Sequence, residues 1–153
     1  MGSHYAGTEE EQRALNTFIK LVRATETVIT STSAHLVDSG VTPTQFGVLE
    51  ALYHLGPMRL CDLAAKHLRT SGTLTVVVDN LEKRGLVERR PSPTDRRSIT
   101  VHLTDVGRST IAALFPTHAK GVAEAMSVLT EQEQIELARL CKKLGLQQGP
   151  DKP

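Results

Sequence analysis

The sequence predicts a mostly α-helical protein carrying one small β-hairpin, and three observations support this. Apolar residues recur at helical spacing along most of the 153-residue chain. In its middle, two short amphipathic segments are separated by a very short connection. Directly after them, two runs with strand-like alternation flank a Pro-rich, basic turn. The length fits one ordinary domain, and 39% apolar residues suffice for a core.

Taken in order, Leu15, Phe18, Ile19, Val22, Val28, Ile29 and Leu36 predict a long amphipathic helix from Glu9 to about Val37. Glu9, Glu10 and Glu11 stand where a helix N-terminus favours negative charge. Residues 1–8 are expected to be unstructured, with Met1-Gly2-Ser3-His4 resembling a tag remnant. After the break at Asp38-Ser39-Gly40, Thr42-Pro43-Thr44-Gln45 supplies a capping Thr, a Pro at the first helical position and a Gln three residues past the cap. A second helix therefore runs to about Leu55 and stops at Gly56-Pro57. Leu60, Leu63, Ala64 and Leu68 predict a short third helix over 59–68. Arg69-Thr70-Ser71 connects it to a fourth, Ser71 to Arg84, with Leu74, Val77, Val78 and Leu81 on one side and Gly85 as its stop. Leu86 to Arg90 and Ile99 to Leu103 form the hairpin around Pro91-Ser92-Pro93-Thr94-Asp95. Thr104 caps a fifth helix reaching about Leu129, which Gly107, Pro116 and Gly121 could bend or divide. Thr130-Glu131-Gln132-Glu133 is a capping box opening a last helix with Ile135, Leu137, Ala138, Leu140, Cys141 and Leu144. The tail 147–153 is expected to be flexible.

The formal net charge of +1 conceals a segregation. Between Arg59 and His102 nine Lys/Arg face five Asp/Glu, or +4, which leaves nine against twelve, or −3, elsewhere. A basic module in an acidic frame suits a nucleic-acid partner. No stretch approaches the roughly 18 apolar residues of a membrane span, and no apolar run marks a signal peptide, so a cytoplasmic location away from membranes is expected. Cys61 and Cys141 form no CxxC or paired framework, which argues for reduced thiols. No nucleophile elbow, Gly-rich phosphate loop or paired catalytic carboxylates occur, so no enzyme is expected, and no cofactor.

Helix, tight turn, helix and basic-tipped hairpin is the order of a winged helix-turn-helix. In the fourth helix a 100° step per residue turns Leu74, Val77, Val78 and Leu81 inward and leaves Gly72, Val76, Asp79 and Lys83 pointing away, flanked by Thr73, Thr75 and Asn80. Small and hydrogen-bonding residues are what a helix entering the major groove needs. Gly72 permits close approach, Thr73 and Thr75 can meet bases or phosphates, and Val76 can touch a thymine methyl. Ser71 and the N–H groups beside it suit a phosphate. Asp79 could accept from a cytosine amino group or be simply solvated. Arg89 and Arg90 suit phosphates; the alternative for the whole basic set is ordinary surface charge.

The runs Leu60 to Leu68, Ser71-Gly72-Thr73-Leu74-Thr75, Leu81-Glu82-Lys83-Arg84-Gly85-Leu86-Val87-Glu88-Arg89-Arg90, Pro93-Thr94-Asp95-Arg96-Arg97-Ser98 and Leu103-Thr104-Asp105-Val106-Gly107 resemble the MarR-family transcription regulators. The likeness holds at motif level from Thr42 to Arg108. It implies a wing in which Arg96 and Arg97 reach the minor groove, with Arg97 inserting and Asp95 bracing it. It also implies a homodimer on a pseudo-palindromic operator in double-stranded DNA, usually as a repressor. The dimer would be built from the terminal helices, Leu15 to Val28 packing with Leu114 to Leu144; an intramolecular core is the alternative for that stripe. The domain order is then an N-terminal dimerisation helix over 9–41, the winged helix-turn-helix over 42–103 and C-terminal dimerisation helices over 104–146.

The resemblance further implies control by a small aromatic or phenolic effector, for which His35, Tyr53, His54 and Arg59 are candidates beside plain packing. Cys61, near Arg59 and a helix start, makes a redox-sensing regulator conceivable. The hydroperoxide-sensing branch that Ser71 to Thr75 resembles relies, however, on a cysteine early in its first helix, and none occurs here. Cys61 is expected to be a small buried core residue instead. Despite six histidines, His35, His54, His67, His102 and His118 lack ligand spacing, and no metal is expected. A winged-helix module that binds protein instead of DNA is the other alternative.

Overall fold

A computed structural model describes residues 5–66, 71–92 and 98–146, with Ser71 and Leu146 described by their backbone alone. Its elements are α1 (Glu9–Ser33), a 3₁₀ helix (Ala34–Ser39), α2 (Pro43–Leu55), β1 (Met58–Arg59), α3 (Leu60–Lys66), α4 (Ser71–Lys83), β2 (Val87–Pro91), β3 (Ile99–Leu103), α5 (Asp105–Met126) and α6 (Glu131–Leu146). The protein is mostly helical with a small antiparallel sheet of order β1-β3-β2.

Each helix start has a local cause. The Thr8 hydroxyl accepts from the Glu11 N–H at 3.2 Å, while the Glu11 carboxylate accepts from the Thr8 N–H at 2.8 Å. This reciprocal cap gives order to the end of a stretch expected to be unstructured. Residues 1–4 and 147–153, expected to be a tag remnant and a flexible tail, lie outside the described residues. Thr42 and Gln45 cap α2 in the same way, at 3.2 and 3.1 Å. Thr130 and Glu133 cap α6, at 3.3 and 2.8 Å. The first helix ends earlier than its apolar spacing predicts, because Ala34–Ser39 tightens into 3₁₀ geometry. There the Ser39 hydroxyl donates to the Leu36 carbonyl at 2.6 Å, a local bond of the kind that competes with the α-helical ladder.

The strand Met58–Arg59 replaces the predicted first residue of the third helix, pairing Met58 with Val101 and Arg59 with Thr100. α5 runs unbroken through Pro116 and Gly121. Its entry is stitched to the turn after α4. The Leu86 N–H donates back to the Leu81 carbonyl at 3.0 Å, with Gly85 at φ +69°. The Thr104 hydroxyl donates to the Gly85 carbonyl at 2.6 Å and accepts from the Gly107 N–H at 3.0 Å. Gly107 lies so close to this turn that a Cβ there would sit 1.8 Å from the Leu86 carbonyl oxygen.

The chain divides into two compact units, residues 33–119 and residues up to 32 together with those from 120 on. The first holds the buried apolar cluster, in which Val48, Leu49, Leu63, Leu74, Val78, Leu81 and Ile111 are fully buried. In the second, Phe18, Val22, Ile29, Ile135, Leu140 and Leu144 are exposed while Ile19, Leu21 and Val28 are half-buried, so the apolar stripe is only partly covered within one chain.

Candidate nucleic-acid interface

α4 separates into two faces as its spacing predicts. Leu74, Val78 and Leu81 are fully buried and Val77 packs partly against the same cluster. Away from them, Gly72, Thr73, Asn80 and Lys83 are exposed, Thr75 is half-buried, and Val76 is 60% exposed although apolar. Among the described residues, a Cβ added to Gly72 would meet nothing within 4 Å. The first turn carries no acidic residue. Among the described residues, the start of α4 thus presents small, uncharged side chains that another molecule could approach closely. The Ser71 side chain and the wing residues Asp95, Arg96 and Arg97 lie outside the described residues.

The basic residues of this region fall into different roles. Lys83 is exposed at the end of α4. Arg84 donates to the Gly40 carbonyl at 2.8 Å and to the Gln45 side chain at 3.3 Å, tying the end of α4 to the start of α2. Arg90 pairs with Glu88, with 57% of its side chain exposed. Arg89 is instead drawn onto α4, bonded to Asp79 at 2.6 Å and to Glu82 at 2.5 Å. Burial tends to lower its pKa, but the hydrogen bonds it donates to both carboxylates, and their charge, outweigh this and hold the guanidinium above its ordinary range. Asp79, read from the sequence as either a cytosine acceptor or a solvated residue, is thus occupied within the protein.

Cys61 is exposed, not the buried core residue expected, because the apolar side of α3 is supplied by Leu63 and Ala64. The neighbouring Arg59 is engaged by Asp62 at 2.9 Å, a pairing that holds the Asp62 carboxyl below its usual value through the hydrogen bond first. Cys141 is exposed as well.

The effector candidates are brought together only in part. The His35 ring lies 6.1 Å from Phe46 and 5.5 Å from His118, and Phe46 lies 4.5 Å from His118. Tyr53 meets His54 at 5.0 Å, and His54 meets Phe115 at 4.6 Å. Phe115 and His118, 6.5 Å apart, join both groups into one chain of rings. Arg59 is engaged by Asp62, and Arg108 lies beside the rings, 5.9 Å from the centre of Tyr53. Phe46 and Phe115 read in the sequence as ordinary helix packing and His118 only as a histidine without ligand spacing, although the i, i+3 spacing of Phe115 and His118 places them on one face of α5. The His35 Nε2 and His118 Nδ1 atoms are buried without a hydrogen-bond partner. Among the described residues, no group of three or more His, Cys, Asp or Glu could hold a metal ion, and no helix is long and apolar enough to cross a membrane.

A short helix, a second helix with one buried and one exposed face, and a hairpin packed beside them define a winged helix-turn-helix, an architecture suited to holding DNA. The MarR family model matches residues 41–99. The chain is 38% identical over 138 residues to the uncharacterized HTH-type transcriptional regulator YkoM of Bacillus subtilis (strain 168), covering 90% of each. It is also 38% identical over 135 residues to the HTH-type transcriptional regulator MhqR of the same strain, covering 88% of this chain and 93% of that protein. A mutant of E. coli MarR, solved in complex with operator DNA, shares its fold with a TM-score of 0.78 at 23% identity, covering 90% of this chain and 99% of that one. The chain belongs to the MarR family of DNA-binding transcription regulators.

Proposed function

We propose that the protein works as a homodimer that binds a short pseudo-palindromic operator, represses by occupying it, and is released by a small aromatic or phenolic effector. The observation that carries this reading is the two-faced α4: a fully buried apolar side opposite an exposed edge of Gly72, Thr73, Val76 and Asn80. Thr75 flanks that edge, Ser71 and Lys83 meet phosphates at its two ends, and Arg90 does so from β2. Arg96 and Arg97 extend the contact into the minor groove, with Arg97 inserting and Asp95 bracing it.

Two further observations support the finer parts. The exposed apolar residues of α1 and α6 need a cover, and a second copy supplies one while setting two recognition helices about 34 Å apart, one duplex turn. The ring chain from Tyr53 to His35 offers flat apolar contact, and its two unpartnered imidazole nitrogens can bind a phenol or an acid group. For release, such a ligand must bind one dimer shape better than the other.

The test is the affinity for a duplex of the protein's own upstream intergenic DNA, against a scrambled duplex, over a salt series. Preference for the upstream sequence and a steep loss of affinity with salt are expected. Equal binding to both duplexes, or a flat salt response, overturns the reading.

A further inference from the structure

Strand alternation decides where the arginines of β2 point. Directly opposed residues of an antiparallel pair share a face, and successive residues alternate between faces. Val87 opposes Leu103 and Arg89 opposes Val101. Val87 and Val101 are each 1% exposed, so theirs is the face laid on the core, and Arg89 is the next residue of β2 on it. Glu88 and Arg90 belong to the other face.

From that inward position the Arg89 guanidinium reaches α4 in two directions. One nitrogen donates to Asp79 Oδ1 at 2.6 Å and another to Glu82 Oε2 at 2.5 Å, while the Arg89 backbone N–H donates to Glu82 Oε1 at 3.0 Å. Asp79 and Glu82 are three apart and therefore adjacent on the helix surface. A planar guanidinium with several fixed donors can hold both carboxylates at once; an ammonium is a point charge and cannot do so equally well. Only 25% of the Arg89 side chain is exposed, against 57% for Arg90. Asp79 borders Val76, Asn80 and Lys83, where an uncompensated carboxylate would repel a phosphate.

We propose that Arg89 is a positioning residue and not a phosphate ligand: a strut that ties the wing strand to the recognition helix and neutralises Asp79 beside the DNA-facing edge. The functional half of this proposal rests on the DNA-binding reading above; the strut itself does not. A strut would make the wing and α4 move as one body, so that the spacing between their two groove contacts is set before DNA is met.

Two measurements test it, on the full chain. The first is binding to the upstream intergenic duplex over a salt series, for wild type, Arg89→Lys, Arg89→Gln, Asp79→Ala and the Arg89→Gln/Asp79→Ala double variant. Asp79→Ala is expected to weaken binding by roughly threefold to tenfold although it removes a negative charge near DNA. Arg89→Lys should fail to restore wild-type affinity, and the double variant should bind no worse than Arg89→Gln. A phosphate ligand behaves otherwise: Asp79→Ala leaves binding unchanged or tighter, Arg89→Lys is close to wild type, and the salt slope falls by about one when Arg89 is lost. That pattern overturns the proposal. The second measurement is a thermal-unfolding cycle on the same variants without DNA. Non-additive losses at Arg89 and Asp79 are expected, and additive ones overturn the strut whatever the duplex does. If wild type ignores the upstream duplex while the unfolding cycle is non-additive, the DNA reading fails and the strut stands.

Discussion

At Gly107 the fold depends on the absence of one carbon. A Cβ 1.8 Å from the Leu86 carbonyl oxygen cannot be accommodated by a side-chain rotation, because its neighbour is backbone. Gly107→Ala is expected to destabilise the protein by about 2 kcal/mol or more, despite the roughly 1 kcal/mol by which Ala is the better helix former. Chemical denaturation reads this directly, and an equally stable variant would remove the close approach from the account. Gly72 predicts the opposite. No described residue crowds it, so Gly72→Ala should raise stability by up to about 1 kcal/mol while weakening affinity for the upstream duplex. A variant both more stable and tighter-binding would show that no partner needs the space. Much at this scale was legible: the buried set Leu74, Val78 and Leu81 and the exposed Val76 follow from a 100° step. The destination of Arg89 was not, because the alternation read along Ile99 to Leu103 has to be carried across the strand pair to show that Arg89 shares a face with Val87 and Val101.

The elements that were legible are those whose signals are local. The capping boxes at Thr42 and Thr130 involve residues three apart, and both form. β1 was not legible, since two residues show no period and Met58–Arg59 is a strand only because β3 lies alongside it. The end of α1 differs from its apolar spacing for a related reason: Leu36 keeps that spacing and is buried, but from a 3₁₀ turn. The cap of α6 carries a pH prediction. Hydrogen bonds from the Thr130 N–H, then from its hydroxyl, hold the Glu133 carboxyl below its ordinary 4.5. A carboxylate with a lowered folded-state pKa stabilises above its unfolded value and loses that contribution as pH falls through the folded one. The stability difference between wild type and Glu133→Ala should therefore be largest near neutral pH and shrink below about 4.5. A difference constant across that range would mean that the charged cap contributes nothing. Thr130→Ala should cost about 1 kcal/mol through the lost cap.

For the whole molecule, the winged module was legible because its parts stand close together in sequence and each has a recognisable chemistry. The terminal helices were legible only as amphipathic, since periodicity marks an apolar stripe without saying what lies on it. The exposure of Leu140 and Leu144 on α6 turns that into a prediction: Leu140→Asp should convert a sedimenting dimer to monomer and weaken operator binding with it. A chain that sediments as a monomer when unaltered would remove the dimer. The central claim, a two-fold regulator reading a two-fold site, is tested most directly by a nuclease footprint on the intergenic DNA upstream of the gene. One short protected pseudo-palindrome is expected, its half-sites about one helical turn apart, roughly 10 base pairs. Protection spread evenly along the fragment, or none at protein concentrations well above those of specific binding, would contradict it.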